Sequence, residues 1–214
     1  MANEQQIVVR GEAVRHAPAD VAALSVVVQV DDTDQARAFE RAGDVARAVD
    51  AVLDERAVAL GPRQAAVVVV QPTTRWVDGE EQRTGWRAAR TTSLDVLDLT
   101  AVSGLLAELV GAGAIVHGPA WRLRPEHPVL AEVRTAAAAD ARARADAYAA
   151  PLGLQVGRVE WVAEPGLRSP GAGALSMQPV AFAKGGAADA EGLEVGPAEL
   201  TVSAAVEVGF GIAR

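Results

Sequence analysis

Val21 to Leu53 reads VAALSVVVQVDDTDQARAFERAGDVARAVDAVL, and a change of period inside it decides the fold class. Through Val30 the chain alternates, with Leu24, Val26, Val28 and Val30 separated by Ala23, Ser25, Val27 and Gln29. One face of this strand is drier than the other. From Asp32 the apolar residues recur at helical steps, Ala36, Phe39, Gly43, Ala46, Val49 and Leu53, while Arg37, Glu40, Arg41, Asp44 and Arg47 lie elsewhere. That spacing predicts an amphipathic helix. Asp31, Asp32, Thr33 and Asp34 offer a capping oxygen and negative charge to its positive end, and Gly61 with Pro62 prevents helical continuation beyond it.

Upstream, Ile7 to Val14 is a second β-branched run, separated from Val21 to Val30 by His16, Ala17, Pro18, Ala19 and Asp20. The pattern predicts two antiparallel strands joined by a short turn. Downstream, Ala65 to Val77 and Arg83 to Leu97 predict a long hairpin around Asp78 and Gly79, with Glu80 and Glu81 lengthening the connection. Pro72 cannot donate to a ladder, so it places its strand at a sheet edge or marks a bulge. An open edge is where another subunit can pair.

Thr100 or Ser103 is the expected cap of a shorter helix through Val110, ended by Gly111 and Gly113, and Ala114 to Leu123 reads as a strand. Pro128 opens a long Ala-rich helix over about 128–150, ended by Pro151 and Gly153. Asp140 precedes Arg144 by one helical turn, a pairing worth about 0.2–0.5 kcal/mol. Gln155 to Val162 and Leu200 to Phe210 are the closing strands. The expected order is therefore β-β-α-β-β-α-β-α-β-β, an α+β protein of antiparallel sheets packed on helices. Residues 165–197 are rich in Gly, Ala, Ser and Pro and longer than an ordinary loop. They are read as a flexible insertion inside a single domain spanning 1–214.

Composition narrows the functional classes. The 214 residues carry a net charge of −8, which disfavours general affinity for nucleic acid because counterion release needs a positive field. Nearly all the basic residues are Arg, Lys184 being the lone lysine. The absence of cysteine removes disulfides, thiolate catalysis and Cys-type zinc sites. No apolar run approaches the length of a membrane span. No basic and apolar leader precedes the first strand, so the expected location is the cytoplasm, or the envelope or outside if a signal has been removed.

Chemistry is sparse. His16 lies near Asp20, His117 beside Gly118 and Pro119, and His127 just before Pro128. None stands with a Ser or Thr nucleophile in a strained elbow, and they read as surface or capping residues. Gly171, Gly173, Gly185 and Gly186 precede no helix that would present its N-terminus to phosphate, so they read as flexible. The expectation is a protein with no enzymatic activity and no cofactor or metal. The hairpin interleaves Arg75, Arg83, Arg87 and Arg90 with Trp76 and Trp86. Arg with Trp is a mixture that buried interfaces favour, although Arg stems shielding exposed rings would look the same. Pro72, Arg75, Trp76, Arg83, Trp86 and Arg87 are the candidate interface, whereas Trp121 and Trp161, in strand-like runs, are expected in the core.

Several strings, in order, resemble the SIMPL domain family, also called DUF541 or the periplasmic and oxidative-stress-associated group. Gly11, Pro18 and Asp20 match its opening strands. TGWRAARTTSLDVLDL, Thr84 to Leu99, is similar to its central GYR strand, with Trp86 for the usual Tyr. RTAAAADARARADAYAAPLGLQVGRV, Arg134 to Val159, is similar to its Ala-rich helix and following strand, Gly111 to Ala114 to the segment before the fifth strand, and Val195 to Val208 to the closing strand. The resemblance covers nearly the whole chain. It implies antiparallel strands packed on helices, a β-β-α-β-β portion joined to one carrying the long helix, and no established enzymatic activity. Relatives are reported to form ring- or barrel-like homo-oligomers or are tied to stress and outer-membrane phenotypes. The function expected here is self-assembly into a homo-oligomer. The alternative is a small-molecule or peptide-binding module with residues 165–197 as a lid.

Overall fold

The computed structural model describes residues 5–77, 79–168, 182–183 and 196–213. These fall into two compact units. The α+β class and the expected order of elements hold, with one added short strand.

The unit formed by residues 19–122 contains β2 (Val21–Asp32), β3 (Val67–Val77), β4 (Glu80–Val96) and β5 (Ile115–Arg122), with helices α1 (Gln35–Glu55) and α2 (Val102–Gly111). Its sheet is antiparallel throughout, in the order β3-β4-β2-β5. A β-α-β-β-α-β chain with this strand order is the split βαβ, or ferredoxin-like, arrangement. Leu24, Val26 and Val28 of β2 and Leu94 and Val96 of β4 share one buried cluster with Leu53 of α1 and Leu105 and Leu109 of α2. The helices therefore cover the face to which the even-numbered residues of β2 and β4 point.

Asp34 caps α1, its Oδ1 accepting from the Arg37 N–H at 3.0 Å. The buried stripe of α1 is Ala38, Ala42, Ala46, Val49 and Leu53, which departs from the expected stripe at its first turns. Phe39 is 56% exposed. Counting back from Ala42 by three or by four gives Phe39 or Ala38 equally well, and the packing selects the smaller residue. The cap near α2 also differs from expectation. Asp98, rather than Thr100 or Ser103, supplies the acceptor, taking the Thr100 N–H at 3.0 Å and its hydroxyl at 2.6 Å. Glu80 pairs with Val77 and Glu81 with Trp76, so both glutamates belong to β4 and do not lengthen the connection.

The other unit takes the chain up to Pro18 and again from Leu123. It contains β1 (Gln6–Pro18), β6 (Gln155–Ala163), β7 (Phe182–Ala183), β8 (Glu199–Ala213) and α3 (Pro128–Ala149). The sheet order is β1-β8-β6, with β7 also paired to β8. β1 lies antiparallel to β8 from Gln6 opposite Gly211 to Pro18 opposite Glu199. The hairpin expected between β1 and β2 does not form. β2 is flanked by β4 and β5, so no edge of it is left for β1. His16 accordingly lies within β1 and not in a turn.

α3 buries Val129, Val133, Ala137, Ala141, Ala145 and Ala149, one residue per turn. The helix backbone comes so close to β1 that a Cβ on Gly11 would lie 2.1 Å from the Ala137 carbonyl oxygen and 2.5 Å from the Ala141 nitrogen. Only glycine fits there. Asp140 on the same helix accepts the Glu12 N–H at 2.9 Å and pairs with Arg144 at 2.7 Å, the pair expected from their spacing. The insertion expected at 165–197, with Lys184 and the glycines at 171, 173, 185 and 186, lies outside the described residues apart from 165–168, 182–183 and 196–197.

Candidate functional site

β3 is the edge strand of its sheet, as Pro72 requires, and the ladder is also interrupted by a bulge between Thr73 and Thr74. A proline sits in a paired strand only where its missing N–H costs no ladder bond. Before Pro72 runs Val67-Val68-Val69-Val70, opposite Thr91, Arg90, Ala89 and Ala88 of β4. Val67, Val68 and Val69 are 62%, 55% and 46% exposed. Adjacent residues of a strand point to opposite faces, so the apolar side chains are bare on both faces of the edge. Edges of this kind are usually blunted by charge, and here none is present.

The hairpin beyond Pro72 separates the six candidate residues by environment. Trp76 is 72% exposed, and Arg75, also exposed, stands opposite Gln82. Trp86, opposite Pro72, packs against the core cluster, and Arg83 lies over its ring at 5.4 Å from the centroid. Over this ring the structure places the Arg83 guanidinium, a cation–π arrangement. Arg87 donates two hydrogen bonds to Asp31, each at 2.8 Å. Those bonds hold the Asp31 carboxyl below the usual carboxylate range and raise the Arg87 guanidinium. Pro72, Arg75 and Trp76 thus present a surface, while Arg83 covers Trp86 on its own strand, Trp86 packs against the core cluster and Arg87 ties β4 to β2 through Asp31.

Beside the edge strand, two depressions follow one another along the helix-covered face. One, of about 240 Å³, lies among Val68, Ala88, Ala42, Ala46 and Phe39, and the next, of about 440 Å³, lies among Val70, Ala36 and Phe39. Val68 and Val70 are one strand repeat apart, and Phe39 borders both hollows. At the far end Arg90 of β4 is gripped by Asp50 of α1 at 2.7 and 2.9 Å, and these bonds raise the guanidinium above its ordinary value. The sequence analysis did not single out Val67 to Val70 as an exposed apolar run. The available signal was their lack of alternation, since a continuous apolar run marks a strand meant for burial on both faces.

The histidines do not converge. His16 Nδ1 lies 3.2 Å from the Thr201 hydroxyl, and His127 Nδ1 accepts the Val129 N–H at 3.2 Å as the cap of α3. His117 lines a hollow of about 450 Å³ of mixed character, whose polar side chains are Ser25, Ser93, Gln64, Asp95 and Arg122 beside Leu24, Pro62 and Leu94. Ser25 is directly opposite both Ser93 and His117, and Asp95 is engaged by Arg122. This hollow offers hydrogen bonds to a polar solute. Among the described residues no group of three or more His, Cys, Asp or Glu is placed to hold a metal ion, and no helix is long and apolar enough to cross a membrane.

The remaining tryptophans divide. Trp121 packs against the core cluster as expected. Trp161 does not reach a core. It lies half-buried over Gly209, donates to Gln6 Oε1 at 2.8 Å and carries Arg168 at 4.0 Å from its ring. A Gly on the neighbouring strand makes room for the indole, a pairing invisible before the register is known. The family model SIMPL, described as a protein of unknown function (DUF541), matches residues 7–210. No curated protein matches the chain.

Proposed function

This chain belongs to the SIMPL family, and on that premise we propose that it is a non-enzymatic protein that works by associating with copies of itself. The observation that carries this reading is the bare β3 edge, apolar on both faces and continued by the exposed Trp76. Contiguous exposed apolar surface is uncommon on monomers and marks interaction sites. Pro72 and the adjacent bulge stop pairing at the hairpin side and confine it to Val67 to Val70. Closed assemblies are the usual outcome of such self-complementary edges, because an open series would make fibres.

Size-exclusion chromatography with light scattering at micromolar protein tests the reading. The expected result is a discrete species of two or more copies. A sharp monomer across the accessible concentration range would sink it.

A further inference from the structure

We infer that β3 pairs antiparallel with β3 of a second copy about a two-fold axis within Val67 to Val70. This rests on the self-association proposed above and specifies its seam. Two four-stranded sheets then become one continuous sheet.

Three observations single out this edge. The first is how the other edges are treated. On β1, Asp140 takes the Glu12 N–H and Arg10 pairs with Glu12 at 3.1 Å. β6 is broken by register shifts around Val159 and carries Arg158 and Glu160, while β5 carries a shift opposite Ala23 to Ser25. Charge and bulges of this kind prevent edge pairing. Val67 to Val70 has neither.

The second is two-sidedness. Val67 and Val69 face away from the helices, whereas Val68 and Val70 border the hollows beside α1. An added strand covers the rim of both faces, and the strand best matched to a two-faced valine run is another such run. The third is charge. Gln64 to Thr74, QAAVVVVQPTT, contains no ionisable residue in a chain that is 22% charged. Antiparallel self-pairing there sets no like charges opposite one another, a condition that charged edges fail. An axis normal to the sheet leaves both α1 helices on one face, with the exposed Phe39 of each copy bordering the seam. The departure of Phe39 from the buried stripe expected for α1 is consistent with a place at this seam.

The chain contains no cysteine, so single Val→Cys variants report directly. Val67→Cys, Val68→Cys, Val69→Cys and Val70→Cys would each be oxidised under mild conditions, with Val8→Cys on β1 as an exposed control. Only the position at the axis meets its own copy within disulfide reach, so one of the four variants should cross-link at least ~tenfold more than the control. Val69→Lys should halve the apparent mass of any dimer without disturbing the far-ultraviolet circular dichroism. If the wild type assembles but all four cysteines behave like the control and Val69→Lys leaves the assembly intact, the β3 seam is wrong and self-association stands. A monomeric wild type removes both, and open-ended aggregates in place of a discrete species also overturn the paired seam.

Discussion

The two units pack helix on sheet in opposite ways. Around α1 and α2, the contact is made by volume, with Leu24, Leu53, Leu94, Leu105 and Leu109 filling the space between layers. Around α3 it is made by proximity. Ala137, Ala141 and Ala145 bring the helix backbone onto β1, and Gly11 removes the last obstacle. A core of large side chains is sensitive to loss of atoms, whereas a contact between backbones is sensitive to their gain. The edges differ too. β1 has an N–H satisfied by Asp140 from the covering helix, whereas on β3 only Val70 packs against the core cluster and Val67, Val68 and Val69 stay exposed.

The most damaging test acts on the volume-filled unit. Leu53 is fully buried at the C-terminal end of α1, and Leu53→Ala is expected to cost about 3–4 kcal/mol by the usual transfer and cavity terms. Urea unfolding followed by circular dichroism measures it. A loss below about 1 kcal/mol would mean that the surrounding leucines collapse into the space, and the contrast drawn between the units would fail on this side.

Gly11→Ala probes the other side and is expected to cost about 2–3 kcal/mol, near the upper part of the overpacking range, because the new methyl meets backbone atoms that cannot rotate away. Hydrogen exchange should place the largest loss of protection in α3, β1 and β8. Tolerance of alanine within about 0.5 kcal/mol would show that α3 stands further from β1 than the close approach requires.

Much of this was legible from residue spacing. The alternation of β2, the helical period ending at Leu53, the Pro72 edge and the Pro128 start all report on local conformation, which the chain encodes within a few residues. Pairing partners are a different kind of information. β1 finds β8 at the far end of the chain, and nothing in Ile7 to Val14 distinguishes that strand from β2 as a partner. Phe39 was misassigned for a related reason, since a helical period fixes a stripe only to within one neighbouring residue. The surroundings of the six hairpin candidates were half legible. Pro72 and Trp76 are exposed by rules that sequence obeys, but Arg87 is occupied because Asp31 stands opposite it, a consequence of register alone.

The smallest expected effect separates two carboxylates held by different means. Asp140 is depressed first by the backbone N–H of Glu12 and then by Arg144, whereas Asp31 is depressed first by its hydrogen bonds to Arg87. Both have folded values below the unfolded one of about 3.9. Each therefore contributes stability above that value, and the contribution is lost as pH falls through the folded value. The partners respond differently to salt. An exposed guanidinium is screened as ionic strength rises, but a hydrogen bond to a fixed N–H at contact distance is much less so. Carboxyl titrations by nuclear magnetic resonance between low salt and ~1 M salt, where the screening length is about 3 Å, should move the Asp31 midpoint upward more than that of Asp140. Asp140→Asn keeps an oxygen for the Glu12 N–H and removes the charge, so it should flatten the acid limb of stability while preserving protection of β1. Equal salt shifts at the two sites would show that Arg144, and not the strand N–H, holds Asp140, and that the capped edge of β1 owes its state to an ion pair like the one between Asp31 and Arg87.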